Sequence, residues 1–125
     1  MVRKIYIICP VRNCTEEEQK QLEAYVEKLE EQNCVVHFPP RDVDQTLEGK
    51  DICIKHRERM WDANEVHIWW NPDSKGSYVD FGMAYMRRYD KPHMKFVLIN
   101  DFQPAVRKSY GTVIKQLCEE DKLHE

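Results

Sequence analysis

The stretch VHIWWNPDSKGSYVDFGMAYMRRY, residues 66–89, contains a strand, a loop and a helix in succession. Its first part, Val66–Trp70, is rich in β-branched and aromatic residues, which is typical of a buried strand. Asn71–Gly76 is polar and contains proline and glycine, so it is expected to form a loop. Ser77–Tyr89 then carries apolar residues at helical spacing, which predicts a helix. A short apolar strand followed closely by a helix is the repeating unit of parallel α/β sheets.

The same alternation continues on both sides of this unit. Three further apolar runs are predicted to be strands, namely Ile5–Cys9, Cys34–Phe38 and Phe96–Ile99. The other helices are predicted to run from a capping box at Thr15–Glu18 to a stop at Asn33, over Asp51–Ala63 and over Ala105–Leu123, with a polar surface loop at Arg41–Lys50. The order β-α-β-α-β-α-β-α predicts an α/β fold, a flavodoxin- or Rossmann-like three-layer sandwich with a parallel sheet of four to five strands. We expect one domain over residues 1–125.

The composition excludes several classes of protein. The chain has 125 residues and a net charge of −3 with both signs interspersed, which gives no basic surface for a nucleic acid polymer or an anionic membrane. The apolar run Ile5–Cys9 is too short for a signal-peptide core or a membrane span. The 5 cysteines are widely spaced without a C-x-x-C pair, so reduced thiols are expected rather than disulfides or a zinc site. These features predict a cytoplasmic protein.

Three loops are expected to meet at one edge of the sheet. In parallel α/β sheets, ligands bind outside the carboxyl ends of the strands, near the point where the strand order reverses. Pro10–Cys14, Pro39–Thr46 and Asn71–Gly76 all follow predicted strands. The third runs into a helix, whose first backbone N–H groups form a natural anion site. The glycine spacing of a Walker A loop is absent, and the alternative interpretation is a capped helix without a ligand, because Ser77–Asp80 has the form of a capping box.

Asp80 is expected in the first turn of the same predicted helix. The positive end of the helix dipole stabilises a carboxylate there as the anion. An anionic carboxylate that faces a pocket can act as a nucleophile or stabilise an electron-poor sugar carbon, as in glycoside cleavage. The same position also suits a capping role, so Asp80 taken alone leaves both interpretations open.

The segment from Ala63 to Ala84 resembles the nucleoside 2-deoxyribosyltransferase family, including the related 2′-deoxynucleoside 5′-monophosphate N-glycosidases. The shared pattern is an apolar strand, a loop with a glycine, and then an acid, one residue, glycine, one residue and alanine. That ending is matched by Asp80-Phe81-Gly82-Met83-Ala84. The resemblance implies cleavage or transfer at the N-glycosidic bond of a (deoxy)nucleoside or its 5′-monophosphate. It also implies no metal or organic cofactor, and a homodimer or higher homo-oligomer.

The resemblance implies roles for individual residues. Asp80 takes the place of the family's nucleophilic glutamate, and Tyr6 would position its carboxylate. Arg12 matches a phosphate-binding arginine, and Ser74 matches a loop serine that contacts the 5′-phosphate. His56 stands where the family has an aspartate that contacts the sugar and assists the leaving base. As a histidine it is the candidate acid.

Further residues are candidates for substrate binding. Asn13, in the loop after the first strand, and the N–H groups around Gly76 and Ser77 are expected to help hold phosphate. Trp70 is nearest the carboxyl end of its strand and is the best candidate for stacking on a base. The alternative for Trp70 is a place in the core, which is the usual position of an aromatic residue in a strand.

Two departures from the family pattern bear on activity. Aspartate at position 80 is one methylene shorter than glutamate, about 1.5 Å of reach, and a misplacement of about 1 Å can cost about a hundredfold in rate. His56 cannot repeat the role of a carboxylate unchanged. A second hypothesis is therefore a nucleotide-binding module that has lost the chemistry, and a third is an interaction domain of the same fold without a nucleotide site. His37 and His67, in predicted strands, are interpreted as structural.

Overall fold

The computed structural model describes residues 2–103 and 109–123. Within these ranges the elements are β1 (Lys4–Ile8), α1 (Glu16–Glu31), β2 (Val35–His37), α2 (Pro39–Asp42), α3 (Gly49–Asp62), β3 (Glu65–Ile68), α4 (Lys75–Asp90), β4 (Lys95–Leu98) and α5 (Tyr110–Leu123). The predicted alternation of strands and helices is therefore confirmed. Over the same two ranges, none of the helices has the length and apolar character that crossing a membrane requires.

The strands form one parallel sheet in the order β2-β1-β3-β4. In the middle strand β1, Tyr6 lies opposite His37 of β2 on one side and opposite Val66 of β3 on the other. The chain thus passes from β1 to one neighbour and then crosses to the other, so the strand order reverses between β1 and β3. The predicted fold class, an α/β three-layer sandwich with a parallel sheet, is confirmed with four strands in the described residues.

Helices cover both faces of the sheet. Ile5 and Ile7 of β1 face α1, whereas Tyr6 and Ile8 face a cluster contributed by α3, α4 and α5. The helical members of that second cluster include Met60, Phe81, Ala84 and Ile114. Because both faces of β1 are buried from Ile5 onward, residues 5–8 form a continuous apolar run instead of alternating between apolar and polar residues.

Helix α1 is capped at both ends by the residues that the sequence predicted. The Thr15 hydroxyl accepts a hydrogen bond from the N–H of Glu18, and the Glu18 carboxylate accepts one from the N–H of Thr15, which is a capping box. At the other end Asn33 has a positive φ of 65°, and the N–H of Cys34 donates to the carbonyl of Leu29. This is the Schellman arrangement. The predicted start and stop of this helix are both confirmed.

The stretch Arg41–Lys50 was predicted to be a loop, and this was wrong at both of its ends. Pro39–Asp42 forms a single helical turn in which Asp42 Oδ2 accepts from the N–H of Phe38 at 2.7 Å. Proline suits the first helical positions because its missing N–H would have no partner there. Helix α3 also begins early, at Gly49.

Helix α4 begins two residues before its predicted start. The side chain of Asn71 accepts from the N–H of Asp73, and its carbonyl accepts from the N–H of Ser74. This turn closes the loop early, so Ser74 becomes the N-cap and Lys75 the first helical residue. The predicted capping box at Ser77–Asp80 is therefore wrong. Asp80 lies in the second turn, where the helix dipole acts more weakly than in the first.

Apart from the start of α5, the other predicted ends agree with the structure within about two residues. β3 ends at Ile68, so Trp69 and Trp70 follow the strand instead of completing it. Helix α5 begins at Tyr110, and positions 105–108 of its predicted start lie outside the described residues. Asp121 of α5 accepts hydrogen bonds from the Arg88 guanidinium and from the N–H of Phe96, which ties α5 to α4 and β4.

Candidate active site

The loops that follow β1 and β3 are joined side by side at the carboxyl edge of the sheet. The side-chain amide of Asn13 donates to the carbonyl of Asp73 at 3.0 Å, and the amide of Asn71 donates to the carbonyl of Asn13 at 3.3 Å. These bonds hold the two loops together where the strand order reverses. In open α/β sheets this is the position at which ligands bind.

A cavity of about 440 Å³ opens at this point. Its walls are formed by Cys9, Val11, Arg12, Asn13, Pro39, Gln45, Ile52, His56, Asp73, Ser74, Lys75, Gly76 and Asp80. The three loops that the sequence predicted to converge therefore do so, joined by α3 and α4. The volume lies within the range of pockets that bind small organic ligands.

Asp80 and His56 meet inside this cavity. Asp80 is only 5% exposed, and His56 of α3 places its Nδ1 3.5 Å from Asp80 Oδ1. That separation is long for a hydrogen bond, but it gives a strong attraction once the imidazole is protonated. The other ring nitrogen of His56, Nε2, is buried and has no hydrogen-bond partner among the described residues. The fold thus places a carboxylate beside a group that can carry a proton.

Tyr6 lies beneath this pair in the centre of the sheet and is fully buried. Burial, with the negative charge of Asp80 adding to it, raises the pKa of the Tyr6 hydroxyl far above its ordinary value. The phenol is therefore neutral and carries a proton that it can donate. It makes no hydrogen bond of ordinary geometry to the described residues, so its proton is available to the neighbouring Asp80 carboxylate.

The beginning of α4 forms another wall of the cavity. The hydroxyls of Ser74 and Ser77 are 2.8 Å apart and both residues are buried. Ser74 lines the cavity, whereas Ser77 is not among the lining residues and is hydrogen-bonded to the Ser74 hydroxyl. At Gly76, a Cβ atom would meet no other atom within 4 Å. A ligand can therefore approach the backbone there.

Two cations stand at the rim of the cavity. Arg12 and Lys75 are exposed and line it. Over residues 2–103 and 109–123, neither makes an ion pair with a carboxylate. Both charges are therefore free to meet an anionic ligand, and Asn13 lines the same cavity with its side chain bonded to the second loop.

Trp70 does not line the cavity. The side chain is 4% exposed and packs edge-on against Tyr78, with ring centroids 4.8 Å apart, and against Phe81. Its backbone N–H and carbonyl are both bonded to the side chain of Asn100. This position contradicts the predicted stacking role, because an indole buried in the core has no free face for a base.

His37 belongs to the cluster around Asp80, although the sequence suggested only a structural role. Its ring centroid lies 5.1 Å from that of Tyr6 and 6.2 Å from that of His56. The Nε2 atom of His37 is buried without a partner among the described residues. The signal that could have found it is the pairing of β1 with β2, which places Tyr6 opposite His37.

Burial lowers the pKa of His37 to about 4, while the nearby Asp42 carboxylate opposes this shift and the charges of His56, Arg59 and Arg41 add to it. An unfolded chain takes up the same proton near pH 6.5. The stability that the neutral ring provides is therefore complete above about pH 6.5 and is lost as the pH falls towards about 4.

We expect the free energy of unfolding to fall by about 1–2 kcal/mol between pH 7 and about pH 4.5 on account of His37. Urea denaturation at a series of pH values measures this slope. The His37→Asn variant, which cannot titrate, should show a flatter dependence over the same interval. Equal slopes in the two proteins would contradict this account of His37.

The sequence predicted that the segment after β2 reaches this edge of the sheet, but it singled out none of the residues there as ligand contacts. Pro39, Gln45 and Ile52 line the cavity, yet nothing in their types or spacing marks them as ligand contacts. Cys9 also lines it, and burial raises the pKa of its thiol, so the group is neutral and unreactive there. Across residues 2–103 and 109–123, no cluster of three histidine, cysteine or acidic side chains is arranged to hold a metal ion.

No family model matches the chain, and no curated protein matches it either. Among solved structures, the CMP N-glycosidase BcmB of Clostridium botulinum has a similar fold, with a TM-score of 0.59. The similarity covers 96% of this chain and 93% of that one, at 17% sequence identity. At this level of identity the likeness shows that the two chains share a fold.

Proposed function

We propose that the protein cleaves the N-glycosidic bond of a (deoxy)nucleoside or its 5′-monophosphate, with Asp80 as the nucleophile. The observation that carries this proposal is the buried Asp80 carboxylate beside His56, 3.5 Å apart, in a cavity with two unpaired cations at its rim. Cleavage of such a bond needs a carboxylate for the sugar carbon and a proton for the leaving base. This cavity holds both.

The sequence resemblance and the structural likeness support the same proposal. The pattern Asp80-Phe81-Gly82-Met83-Ala84 resembles that of the nucleoside 2-deoxyribosyltransferases and their N-glycosidase relatives. The protein of similar fold is a CMP N-glycosidase. The fold similarity alone does not fix a reaction, so the proposal depends on the contents of the cavity.

The reaction would proceed in two steps. An oxygen of Asp80 attacks C1′ of the sugar, the bond from C1′ to the base nitrogen breaks, and the electron pair leaves with the base. Protonated His56 gives its proton to that base. Water then attacks C1′, neutral His56 takes the proton of that water, and the bond between C1′ and Asp80 breaks to restore the carboxylate. A second base in place of water would give transfer instead of hydrolysis.

The other residues bind and position. The neutral Tyr6 hydroxyl, which has no partner among the described residues, would donate to the Asp80 carboxylate and hold it in one orientation. Arg12, Asn13 and Ser74, with the backbone at Gly76, would hold the 5′-phosphate through charge and N–H donors. Ser77 acts indirectly, through its hydrogen bond with Ser74.

Incubation of the purified protein with a panel of nucleosides and nucleoside 5′-monophosphates, in ribose and deoxyribose forms, tests the proposal. Free base is measured by chromatography. Release of base supports it, and absence of release from every compound contradicts it.

The second candidate function is a nucleotide-binding module without chemistry, and the observation in its favour is the short side chain of Asp80. Under this alternative, a nucleotide raises the melting temperature and stays intact after long incubation. Asp80→Glu restores the missing methylene. If that variant releases base and the natural protein does not, the cavity binds the nucleotide but the Asp80 carboxylate is too short to reach C1′.

We expect Arg12→Ala to lower kcat/KM for a 5′-monophosphate by about 30- to 150-fold, because a charge-assisted contact to phosphate contributes about 2–3 kcal/mol. The kcat/KM for the matching nucleoside, which has no phosphate, should change less than about threefold. Steady-state rates with both substrates measure this. Equal losses with the two substrates would show that Arg12 does not contact the phosphate.

We also propose that two copies associate through the exposed aromatic face of α4 and α5. Its members are Tyr85, Met86, Tyr89 and Tyr110, which are 54%, 72%, 86% and 58% exposed. Contiguous apolar surface of this kind marks interaction sites.

We expect light scattering to give twice the chain mass of 15.0 kDa. The double variant Met86→Glu with Tyr89→Glu should give the mass of a single chain. A natural protein of single mass would contradict this, and Lys20→Glu on α1 is the control.

The state of the cysteines supports a cytoplasmic location, which we also propose. All five are free thiols, and Cys9, Cys34 and Cys118 are buried. Proteins of reducing compartments keep their thiols in this form, whereas small secreted domains usually pair them.

A further inference from the structure

The side-chain amide of Gln45 is held in one orientation. Its Nε2 donates to the carbonyl of Pro39 at 3.3 Å and to the carbonyl of Val43 at 3.1 Å. Carbonyl oxygens only accept hydrogen bonds, so the amide nitrogen, which carries two hydrogens, must be the atom that faces them. The opposite assignment would place three acceptors together without a proton between them.

The oxygen of the same amide is left without a donor. Over the described ranges, no N–H or O–H group bonds to Gln45 Oε1. This oxygen is not among the buried atoms that lack a partner. Gln45 is half-buried and lines the cavity. It therefore presents an acceptor, and only an acceptor, to a ligand.

The strand order shows which part of a nucleotide would meet this oxygen. Along the carboxyl edge, the segment after β2 lies on one side of β1 and the loop after β3 lies on the other. The phosphate contacts proposed above, Arg12 and Ser74–Gly76, come from the loops after β1 and β3. With the sugar at Asp80, the base extends towards the segment after β2, where Pro39 and Ile52 offer apolar surfaces for its faces.

We propose that Gln45 selects nucleotides whose base carries an exocyclic amino group, as cytosine and adenine do. The amino group donates to Gln45 Oε1. Uracil and hypoxanthine carry an oxygen at the corresponding position, and two acceptors would then face each other in a partly desolvated site. A site that leaves such groups unpaired discriminates strongly between similar ligands. This inference rests on the proposed function, because that function sets the direction in which the nucleotide lies.

Matched pairs of substrates test the inference: CMP with UMP, AMP with IMP, and their deoxy forms. We expect kcat/KM for the amino member to exceed that for the oxo member by tenfold or more. In Gln45→Ala the ratio should fall to within about threefold of unity, chiefly through loss on the amino member. Gln21→Ala, an exposed glutamine on α1 that bonds to Glu17, should leave the ratio unchanged.

Calorimetric titration of the same pairs separates this inference from the proposed chemistry. Base release without an amino preference would overturn the role of Gln45 and leave the N-glycosidase function standing. Binding selective for amino nucleotides without base release would support Gln45 and overturn the chemistry. Binding of no nucleotide would overturn both.

If circular dichroism shows that Gln45→Ala does not fold, Gln45→Met, which has a similar volume, takes its place. An amino preference that survives in Gln45→Met contradicts the inference.

Discussion

Asp80→Asn should reduce the release of base by at least about a thousandfold while leaving the protein folded. The amide keeps the size of the side chain but cannot form the bond to C1′ that the mechanism requires. Asp80 is buried beside His56 and Tyr6. Among the described residues that line the cavity, no other carboxylate pairs with this histidine. Single-turnover assays with the best substrate of the panel measure the loss, and the melting temperature reports the fold.

A matched substitution on the same helix controls for effects on α4. Asp90 lies at the opposite end of α4 and is exposed, so Asp90→Asn should keep the full rate. The Asp80→Asn protein should still bind the nucleotide, since the proposed phosphate contacts are untouched. A rate that survives in Asp80→Asn would exclude a nucleophilic role for this carboxylate.

His56→Gln should lower kcat by about 100- to 1000-fold, because a positioned acid contributes about 10²–10⁴ to such a step. The loss should depend on the leaving group. A nucleoside whose base leaves readily without a proton should lose much less than one whose base needs protonation. Steady-state rates with the two kinds of substrate measure this difference.

An exposed histidine provides the comparison. His93 lies in the turn between α4 and β4, and His93→Gln should retain the rate with both kinds of substrate. If His56→Gln lost rate uniformly over all substrates, His56 would act on the position of Asp80 and not as an acid.

The fold could be predicted because it is encoded in local patterns. The apolar run at Ile5–Cys9 and the alternation that follows it fix a parallel sheet, and the Thr15–Glu18 box and Asn33 set both ends of α1. These signals involve residues close together in the chain. The start of α4 was missed because the Ser77–Asp80 pattern resembles a capping box, whereas the turn at Asn71 closes the loop earlier and makes Ser74 the N-cap.

The candidate site could be predicted only in part from the sequence, because much of it depends on contacts between segments that are distant in the chain. The proximity of His56 to Asp80 followed only from the family resemblance, since the two residues lie on separate helices. His37 enters the cluster through the pairing of β2 with β1. Gln45 becomes informative only once its bonds to Pro39 and Val43 are known. Trp70 was misplaced because a tryptophan near a strand end has the same local signature in a core as in a binding site.

Asn13 and Asn71 make the rim of the cavity stiff. Each of the two loops supplies the other with hydrogen bonds that a flexible loop would form only when it closes over a ligand. The rim is therefore preorganised, and association sacrifices little backbone entropy. A ligand arriving there docks on a rigid surface, so its shape and charge, and not the folding of a loop, govern how fast it is captured.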